Sequence, residues 1–299
     1  MKSTTLHWLC VLSLLSLPVL WLGHVISRGD RAPPPRPAAK PKEGIWGYVR
    51  IRPDRVDQAF QFLNLHFNQC ALISSSGQMR DAGLGADIDR IPCVIRMNDA
   101  PTAGYEADVG ARTSVRVVSH TSVPRLLKDG RRYFREAADT AYVFWGPYRN
   151  MRTDGKGTIF NALRRIAARY PSTRLYAMTP GRIRLCDDVF QNETGKNRIK
   201  SGAYLSTGFF TMMLATEMCE RIRVFGMINA DYCKQSNRRA ALYHYYDRAA
   251  AAAAADECLM YKAHERKRRG GHRFITEKAI YAKWAARHKM EFTHPSWNL

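Results

Sequence analysis

Acidic residues are scarce in this chain of 299 residues. Twenty-six Asp and Glu stand against 47 Lys and Arg, which gives a formal net charge of +21 at pH 7. Such a surface attracts polyanions, anionic lipid or acidic small molecules. The sequence has no zinc-finger, homeodomain or RNP signature, and its basic residues are spread through segments rich in strand-type apolar residues. We therefore expect no nucleic-acid partner.

Cysteine is also sparse, with seven residues in the whole chain. An even number of them lies beyond residue 26, which suits an oxidising compartment. No Cys or His cluster has zinc spacing. The sequence does not determine how these six pair: Cys70, Cys93, Cys186, Cys219, Cys233 and Cys258.

Long apolar runs are missing except at residues 6–26, which contain no Asp, Glu, Lys or Arg. A helix of that length covers a bilayer core of about 30 Å. A cleaved signal peptide is the alternative, but its apolar region spans only about 7 to 15 residues, and no clear small-x-small cleavage site follows here. We predict an uncleaved signal anchor preceded by a short cytoplasmic tail, residues 1–5.

The orientation of this anchor depends on the rest of the chain. Lys2 and the amino terminus compete with Arg28 and Arg31 on the other flank. Asn192-Glu193-Thr194 is an N-glycosylation acceptor, which has chemical meaning only in a lumen. Together with the cysteines, it predicts a type II membrane protein with a lumenal body and a glycan at Asn192.

Two further regions follow the anchor. Residues 27–45 are rich in Pro and basic residues and have no apolar period, so we expect an extended stem. Residues 46–299 form the predicted body. Their short apolar runs read as buried parallel strands: Ala71–Ile73, Cys93–Ile95, Val115–Val118, Tyr142–Trp145, Leu175–Met178 and Ile222–Phe225.

Stretches with helical spacing alternate with these runs, at residues 157–170, 205–221 and 274–287. This order predicts an α/β fold, with a doubly wound, mostly parallel sheet flanked by helices and a ligand at the carboxyl ends of the strands. The seven alanines of Ala249–Ala255 read as a surface insertion. The basic block His264–Arg269 fits a nuclear-localisation or anion patch, although a solvated loop is favoured in a lumenal protein.

Four segments in order resemble the sialylmotifs of the animal sialyltransferases. The large motif is Cys70–Ser119, with CALISSSGQ and CVIRMNDAPT, and the small motif is Leu205–Met227, with LSTGFFTMM. The third is Tyr243–Tyr246 and the very small motif is His272–Glu277. The resemblance covers residues 45 to 299 and implies a GT-A-like variant of the α/β fold.

Further segments are similar to the GalNAc α-2,6-sialyltransferases, among them ETGKNR, GMINADYC and GGHRFITEK. This implies transfer of N-acetylneuraminic acid from CMP-sialic acid to the 6-hydroxyl of GalNAc in Siaα2-3Galβ1-3GalNAc, on O-glycans or ganglio-series lipids. It also implies a Golgi membrane enzyme that needs no cofactor. The sequence leaves open a homodimer formed through the stem or anchor.

The resemblance assigns donor binding to three places. Ser75, Ser76 and Gly77 follow a strand in a hydroxyl-rich turn, although such turns are often ordinary loops. Asn98 matches the nucleotide-binding asparagine, with an Asx turn before Pro101 as the alternative. Ser206, Thr207 and Gly208 open a helix, where a cap and an anion contact are compatible.

The resemblance also assigns the catalytic groups. His272 is the general base for the acceptor hydroxyl, a role worth about 10² to 10⁴ in rate. Glu277 orients that imidazole or closes the site, unless it is a solvated helix-face carboxylate. His244 neutralises the departing phosphate as an imidazolium, unless it is a packed core residue. His120, near another strand end, is a weaker candidate.

The Asp87-Ile88-Asp89 spacing is one that metal-dependent glycosyltransferases use. Here it occupies the position of the family's acidic-Ile-Asp, and a monophosphate leaving group needs less neutralisation, so we expect no metal and an inverting single displacement. Two alternatives remain: a metal-dependent Golgi glycosyltransferase using Asp87 and Asp89, and a non-enzymatic lumenal binder of anionic glycans. The resemblance further implies a disulfide between Cys70 and Cys219.

Overall fold

The computed structural model describes residues 45–54, 61–63, 65–137, 139–247 and 256–299. The predicted tail, the anchor at 6–26, nearly all of the stem and Ala249–Ala255 lie outside these residues. Within the described ranges, no helix has the length and apolar character needed to cross a bilayer.

The described strands form one nine-stranded sheet in the order β2-β1-β7-β6-β5-β4-β3-β8-β9. The strands from β3 to β9 pair in parallel, whereas β1 pairs antiparallel with both β2 and β7. The bounds are β1 Ile45–Arg50, β2 Gln61–Leu63, β3 Phe67–Ile73, β4 Cys93–Met97, β5 Val115–Ser119, β6 Ala141–Trp145, β7 Arg174–Met178, β8 Cys219–Phe225 and β9 Met290–His294. The predicted α/β class is confirmed.

Helices connect these strands. They are α1 Gly85–Asp89, α2 Glu106–Val109, α3 Val123–Lys128, α4 Tyr148–Met151, α5 Thr158–Arg169, α6 Pro180–Thr194, α7 Arg198–Ser201, α8 Thr207–Met218, α9 Glu257–Arg266 and α10 Phe274–Arg287. Short 3₁₀ turns lie at Gly77–Met79 and Tyr232–Lys234, and a π turn at Arg131–Arg135.

Helices cover both faces of the sheet because successive strand residues point to opposite sides. Val117 packs in a cluster with α8 and α10, while its neighbour Val118 packs in a second cluster with α5. Side chains of α8 are buried around most of its circumference. This central helix therefore brings its N-terminal turn to the edge where the parallel strands end.

One predicted helix is too long. The expected element at 205–221 ends at Met218, and Cys219 already has extended backbone angles. Cys219 lies opposite Phe67 in the β3–β8 ladder and forms a disulfide with Cys70. Non-local pairing therefore overrides the helical spacing in the last three residues.

Candidate active site

A cleft opens at the carboxyl ends of β3, β4 and β8. It brings together the turn after β3, the end of β4, the first turn of α8, the segment before residue 247, and the residues from His272 into α10. Nine of the predicted site residues line it: Ser75, Ser76, Asn98, Ser206, Thr207, Gly208, His244, His272 and Glu277.

Gly77 does not line the cleft, and its predicted ligand contact stays a prediction. Its backbone N–H donates to the carbonyl of Leu242 at 3.0 Å, and a Cβ atom there would lie 2.4 Å from that oxygen. The residue is glycine because two chain segments pack backbone to backbone. This contact holds the chain just before His244 against the serine turn.

Two serines of this turn have different tasks. The Ser76 hydroxyl donates to the buried carboxylate of Glu257 at 2.6 Å and accepts from the backbone N–H of Gln78, so the protein already uses it. The Ser75 hydroxyl has no hydrogen-bond partner among the described residues. Ser75 is thus the residue of the pair that is free to contact a ligand.

Asn98 has a left-handed backbone, with φ of 50°. Its Oδ1 accepts from the backbone N–H of Ser119 at 3.0 Å, on the neighbouring strand β5. That contact replaces the Asx turn considered from the sequence. The Nδ2 amide has no partner in the described part of the chain, which leaves its donors available to the cleft.

Ser206 caps α8, because its hydroxyl accepts from the backbone N–H of Phe209 at 3.1 Å. The same residue donates twice to Glu277: its backbone N–H lies 2.8 Å from Oε1 and its hydroxyl bonds Oε2. Glu277 therefore fixes the start of α8 in place.

Glu277 is only 2 % exposed, so its alternative as a solvated carboxylate is wrong. It forms no hydrogen bond with His272 within the described ranges, and its predicted closing of the site stays a prediction. Burial raises the pKa of Glu277 to about 7, and the two hydrogen bonds from Ser206 oppose that shift. It is a positioning residue for the donor-side turn.

His272 has the geometry of a neutral base. Its Nδ1 lies 3.1 Å from the carbonyl oxygen of Tyr204, and a carbonyl only accepts, so Nδ1 carries the proton. Nε2 then carries the basic lone pair. Burial lowers the pKa of His272, while the backbone of Tyr204 and Leu205 opposes that shift, so burial favours the neutral imidazole.

A second histidine supports this loop. The backbone N–H of His272 donates to Nδ1 of His264 at 3.3 Å, and the two rings stack with centroids 5.5 Å apart. Phe274 packs against both rings. The orientation of His272 is thereby set from three sides.

His244 stacks on Tyr246 with ring centroids 4.8 Å apart, and its Nδ1 lies 3.3 Å from Oδ1 of Asp247. Burial lowers the pKa of His244, whereas Asp247 opposes the shift. Burial therefore disfavours the expected imidazolium, and Asp247 favours it. His120 packs on Trp145 and does not line the cleft.

Comparison with known proteins identifies the family. The model of glycosyltransferase family 29 (sialyltransferase) matches residues 47–288. The chain belongs to the sialyltransferases of this family. It is therefore a glycosyltransferase.

Its relatives include the rat α-N-acetylgalactosaminide α-2,6-sialyltransferase 3, 48% identical over 260 residues, which are 87% of this chain and 82% of the relative. A human α-N-acetyl-neuraminyl-2,3-β-galactosyl-1,3-N-acetyl-galactosaminide α-2,6-sialyltransferase is 50% identical over 228 residues, 76% of this chain and 74% of that protein. A solved mammalian sialyltransferase in complex with Gal-β-1-3GalNAc-ortho-nitrophenol gives a TM-score of 0.47 at 20% identity, covering 76% of this chain and 70% of that one.

Lys278 is the main residue of this sialyltransferase cleft that the sequence reasoning missed. It is 6% exposed, and its ammonium lies 3.9 Å from the ring centroid of Tyr261. In the described residues it has no hydrogen-bonded carboxylate. Burial lowers the pKa of Lys278 to about 8, against the opposing charges of Glu257, Glu277 and Glu265.

A sequence signal for Lys278 does exist. Glu277, Lys278, Tyr281, Trp284 and Ala285 share the helical i, i+3, i+4 spacing of one face of α10, and all five are buried. Two charged residues on an otherwise apolar face indicate buried charges with a function. Aromatic residues line the cleft beside them, namely Tyr243, Tyr261, Phe274 and Tyr281.

The acidic pair lies elsewhere in the sialyltransferase. The Asp89 carboxylate accepts from the backbone N–H groups of Ala111 and Arg112, and Asp87 pairs with Arg90 at 2.8 Å. Neither carboxylate lines the cleft. The metal-dependent alternative that used these two residues is therefore not supported.

The sialyltransferase has two disulfides in its described part. Cys70–Cys219 links β3 to β8, as the resemblance implied, and Cys233–Cys258 links the 3₁₀ turn after β8 to α9. Cys93 and Cys186 are buried free thiols. Asn192 of the glycosylation motif is exposed near the end of α6.

Proposed function

We propose that this chain transfers N-acetylneuraminic acid from CMP-sialic acid to the 6-hydroxyl of GalNAc in Siaα2-3Galβ1-3GalNAc, with inversion and without a metal. The observation that carries the proposal is the convergence of Lys278 and His272 in one cleft. Lys278 is a buried cation that has no hydrogen-bonded carboxylate in the described residues, and His272 has the geometry of a neutral base. We take the acceptor from the name of the human relative that is 50% identical.

The donor half of the cleft suits an anion. The first turn of α8 presents its backbone amides to this half, and Lys278 supplies a buried positive charge. His244 can become positively charged by accepting a proton. Asn98 and Ser75 add uncommitted polar groups for phosphate or ribose. CMP-sialic acid carries both a phosphate and a carboxylate, so each of its charges finds a partner.

The transfer is a single displacement. The acceptor O6 forms a bond to the anomeric carbon of the donor while its proton passes to Nε2 of His272. The bond from that carbon to the phosphate oxygen breaks, and its electron pair stays on the departing CMP. Lys278 and His244 stabilise the charge that develops on this phosphate, which is where electrostatic catalysis contributes most.

The cellular setting is part of the proposal. Residues 1–5 form a cytoplasmic tail, 6–26 a signal anchor, 27–45 a stem and 46–299 a GT-A-like catalytic domain in the Golgi lumen. The uncharged apolar run, the exposed Asn192 and the two disulfides support this arrangement. A homodimer through the stem or anchor stays a prediction.

An acceptor panel tests the proposal. CMP-sialic acid is supplied with sialyl-T glycopeptide, T antigen glycopeptide and a monosialylated ganglio-series lipid, and the linkage of each product is determined, with and without EDTA. We expect an α2-6 link to GalNAc on a sialylated acceptor, unaffected by EDTA. Release of CMP at the same background rate by the wild type and His272→Ala would instead favour the non-enzymatic binder.

A further inference from the structure

A run of four basic residues lies beside the cleft. Arg266 ends α9, and Lys267, Arg268 and Arg269 follow it; Lys200 of α7 belongs to the same patch, which we call the basic rim. All five are exposed, and none has an acidic partner among the described residues. Arg198, two residues from Lys200, is by contrast bound by Asp187.

The backbone of this rim is held in place rather than solvated as a free loop. The Gly270 N–H donates to the carbonyl of Gly202 at 2.8 Å, and the Tyr204 N–H donates to the carbonyl of Gly271 at 3.0 Å. The Arg273 guanidinium donates to the carbonyl of Lys267 at 2.8 Å. These contacts join the two halves of the rim, at Lys200 and at 266–269.

The rim ends three residues before the proposed general base, His272. Burial is the main cause of the lowered pKa of His272, and the charge of Lys267 acts in the same direction. Tyr204, whose carbonyl holds the His272 ring, is 53% exposed between the rim halves. Both halves of the rim are thus tied to the backbone that holds the His272 ring.

The charges of the rim are not needed by the donor. Lys278 and His244 line the cleft, and the proposed function assigns them to the phosphate and carboxylate of CMP-sialic acid. The proposed acceptor brings a further anion, the carboxylate of the sialic acid that it already carries. Five unneutralised cations beside the base are complementary to that group.

We infer that the basic rim of Lys200 and 266–269 binds the carboxylate of the sialic acid already present on the acceptor, and so selects a sialylated over a neutral acceptor. The inference rests on the proposed function and adds a subsite to it. Since the rim is exposed, its attraction is screened by salt over a Debye length of about 8 to 10 Å.

The test compares two acceptors at saturating CMP-sialic acid: the benzyl glycosides of Siaα2-3Galβ1-3GalNAc and Galβ1-3GalNAc. In Lys200→Gln/Arg268→Gln we expect the KM for the sialylated acceptor to rise roughly three- to tenfold, the range for losing exposed ion pairs. KM for the neutral acceptor and for the donor, and kcat, should stay within about twofold of wild type.

Two controls sharpen this experiment. Lys200→Arg/Arg268→Lys keeps both charges and should keep the preference. Arg135→Gln/Arg169→Gln removes two exposed cations that line a different groove. This variant should leave the KM for the sialylated acceptor and the KM for the neutral acceptor unchanged. Raising NaCl should bring the wild-type KM for the sialylated acceptor toward that of the double variant.

Three results would overturn the inference. One is an equal rise of KM for both acceptors, and another is no change for either. The third is that Lys200→Gln/Arg268→Gln loses binding to phosphatidylserine vesicles while its KM for the sialylated acceptor is unchanged. That result would assign the rim to a membrane surface. If the wild type transfers to neither acceptor, the proposed function fails. The rim is then tested by the affinity for the sialylated trisaccharide in the presence of CMP. Equal affinity in the wild type and in Lys200→Gln/Arg268→Gln contradicts the rim subsite.

Discussion

At the scale of single residues, His272 shows how a backbone contact selects a catalytic form. The Tyr204 carbonyl fixes the proton on Nδ1, and burial disfavours the charged ring. Both effects keep Nε2 able to accept a proton at neutral pH. The sequence predicted this residue as base, but the tautomer depends on a contact between residues 68 positions apart.

The pH dependence of turnover tests the state of His272. Because its pKa is lowered from 6.5, we expect kcat/KM to fall only as the pH drops below about 6.5. His272→Ala should lower kcat by about 10² to 10⁴ and abolish this acid limb, with the KM for CMP-sialic acid little changed. An acid limb above pH 7 in the wild type, or the same limb in the variant, would contradict the assignment.

Lys278 combines a functional charge with a cost in stability. Its pKa falls from 10.5 to about 8 on folding, which corresponds to about 3 kcal/mol of penalty for burying the charge. This penalty is fully present below pH 8 and disappears as the pH rises through 10.5. We expect Lys278→Met to raise the melting temperature at pH 7 and to reduce kcat/KM for CMP-sialic acid at least about tenfold, the cost of losing one charged hydrogen bond.

Thermal unfolding and initial rates of Lys278→Met and Lys278→Arg check this account. The Arg variant keeps the charge and should retain more activity than the Met variant. Full activity of Lys278→Met would remove the lysine from the donor site, and a lower melting temperature would show that the ammonium stabilises the fold.

At the scale of elements, the hydrogen bonds between Ser206 and Glu277 join α8 to α10 and fix the donor side of the cleft; we call this contact the α8–α10 joint. Glu277 of α10 accepts two hydrogen bonds from Ser206, the cap of α8. The predicted cap at Ser206 and its contact with the cleft are compatible, as expected. The hydrogen bonds from Ser206 to Glu277 were not predicted because the two residues are 71 positions apart.

Replacing Glu277 by Gln tests this joint. The folded pKa of Glu277 is raised from 4.5 to about 7, so its contribution to stability is full below pH 4.5 and is lost as the pH rises through 7. Glu277→Gln cannot titrate, so it should not lose this contribution. We therefore expect its melting temperature to rise relative to that of the wild type between pH 5 and pH 7.5. Glu277→Ala should instead destabilise the protein by about 1 to 3 kcal/mol and raise the donor KM, because it leaves Ser206 unsatisfied. If the difference in melting temperature between the wild type and Glu277→Gln did not change with pH, the result would contradict titration of Glu277 in this range.

Much of the element pattern followed from local sequence. The six predicted strand runs lie within strands, and the helices expected at 157–170 and 274–287 are found at 158–169 and 274–287. Local patterning did not reveal β1, β2 and β9, or the end of α8 at Met218, since those depend on pairing between distant segments. The backbone packing of Gly77 was not predicted for the same reason, because its hydrogen-bonded neighbour Leu242 is remote in the chain.

At the scale of the whole molecule, the disulfide between β3 and β8 closes a long loop. Cys70 and Cys219 are 149 residues apart, whereas Cys233 and Cys258 are 25 apart. The chain-entropy model gives about 5 kcal/mol for the first and about 3.5 kcal/mol for the second. We expect Cys70→Ala/Cys219→Ala to lose more free energy of unfolding than Cys233→Ala/Cys258→Ala in denaturant titrations. The reverse order would mean that unfolded-state entropy is not the main contribution.

The four motifs of the sequence meet in a single cleft because parallel strands place their carboxyl ends on one edge, and α8 and α10 begin at that edge. The sequence predicted nine of the residues that line this cleft. It did not predict which of them face the ligand and which hold others in place, since that division depends on hydrogen bonds such as those of Ser76 and Glu277.

The location of CMP tests the central claim most directly. In a crystal structure of the CMP complex, we predict a phosphate between Lys278 and His244, with Asn98 and Ser75 in contact with the nucleotide and Nε2 of His272 left open toward the acceptor. CMP bound elsewhere, for example at the arginine groove of Arg131, Arg135 and Arg169, would contradict the claim that donor and base share one cleft.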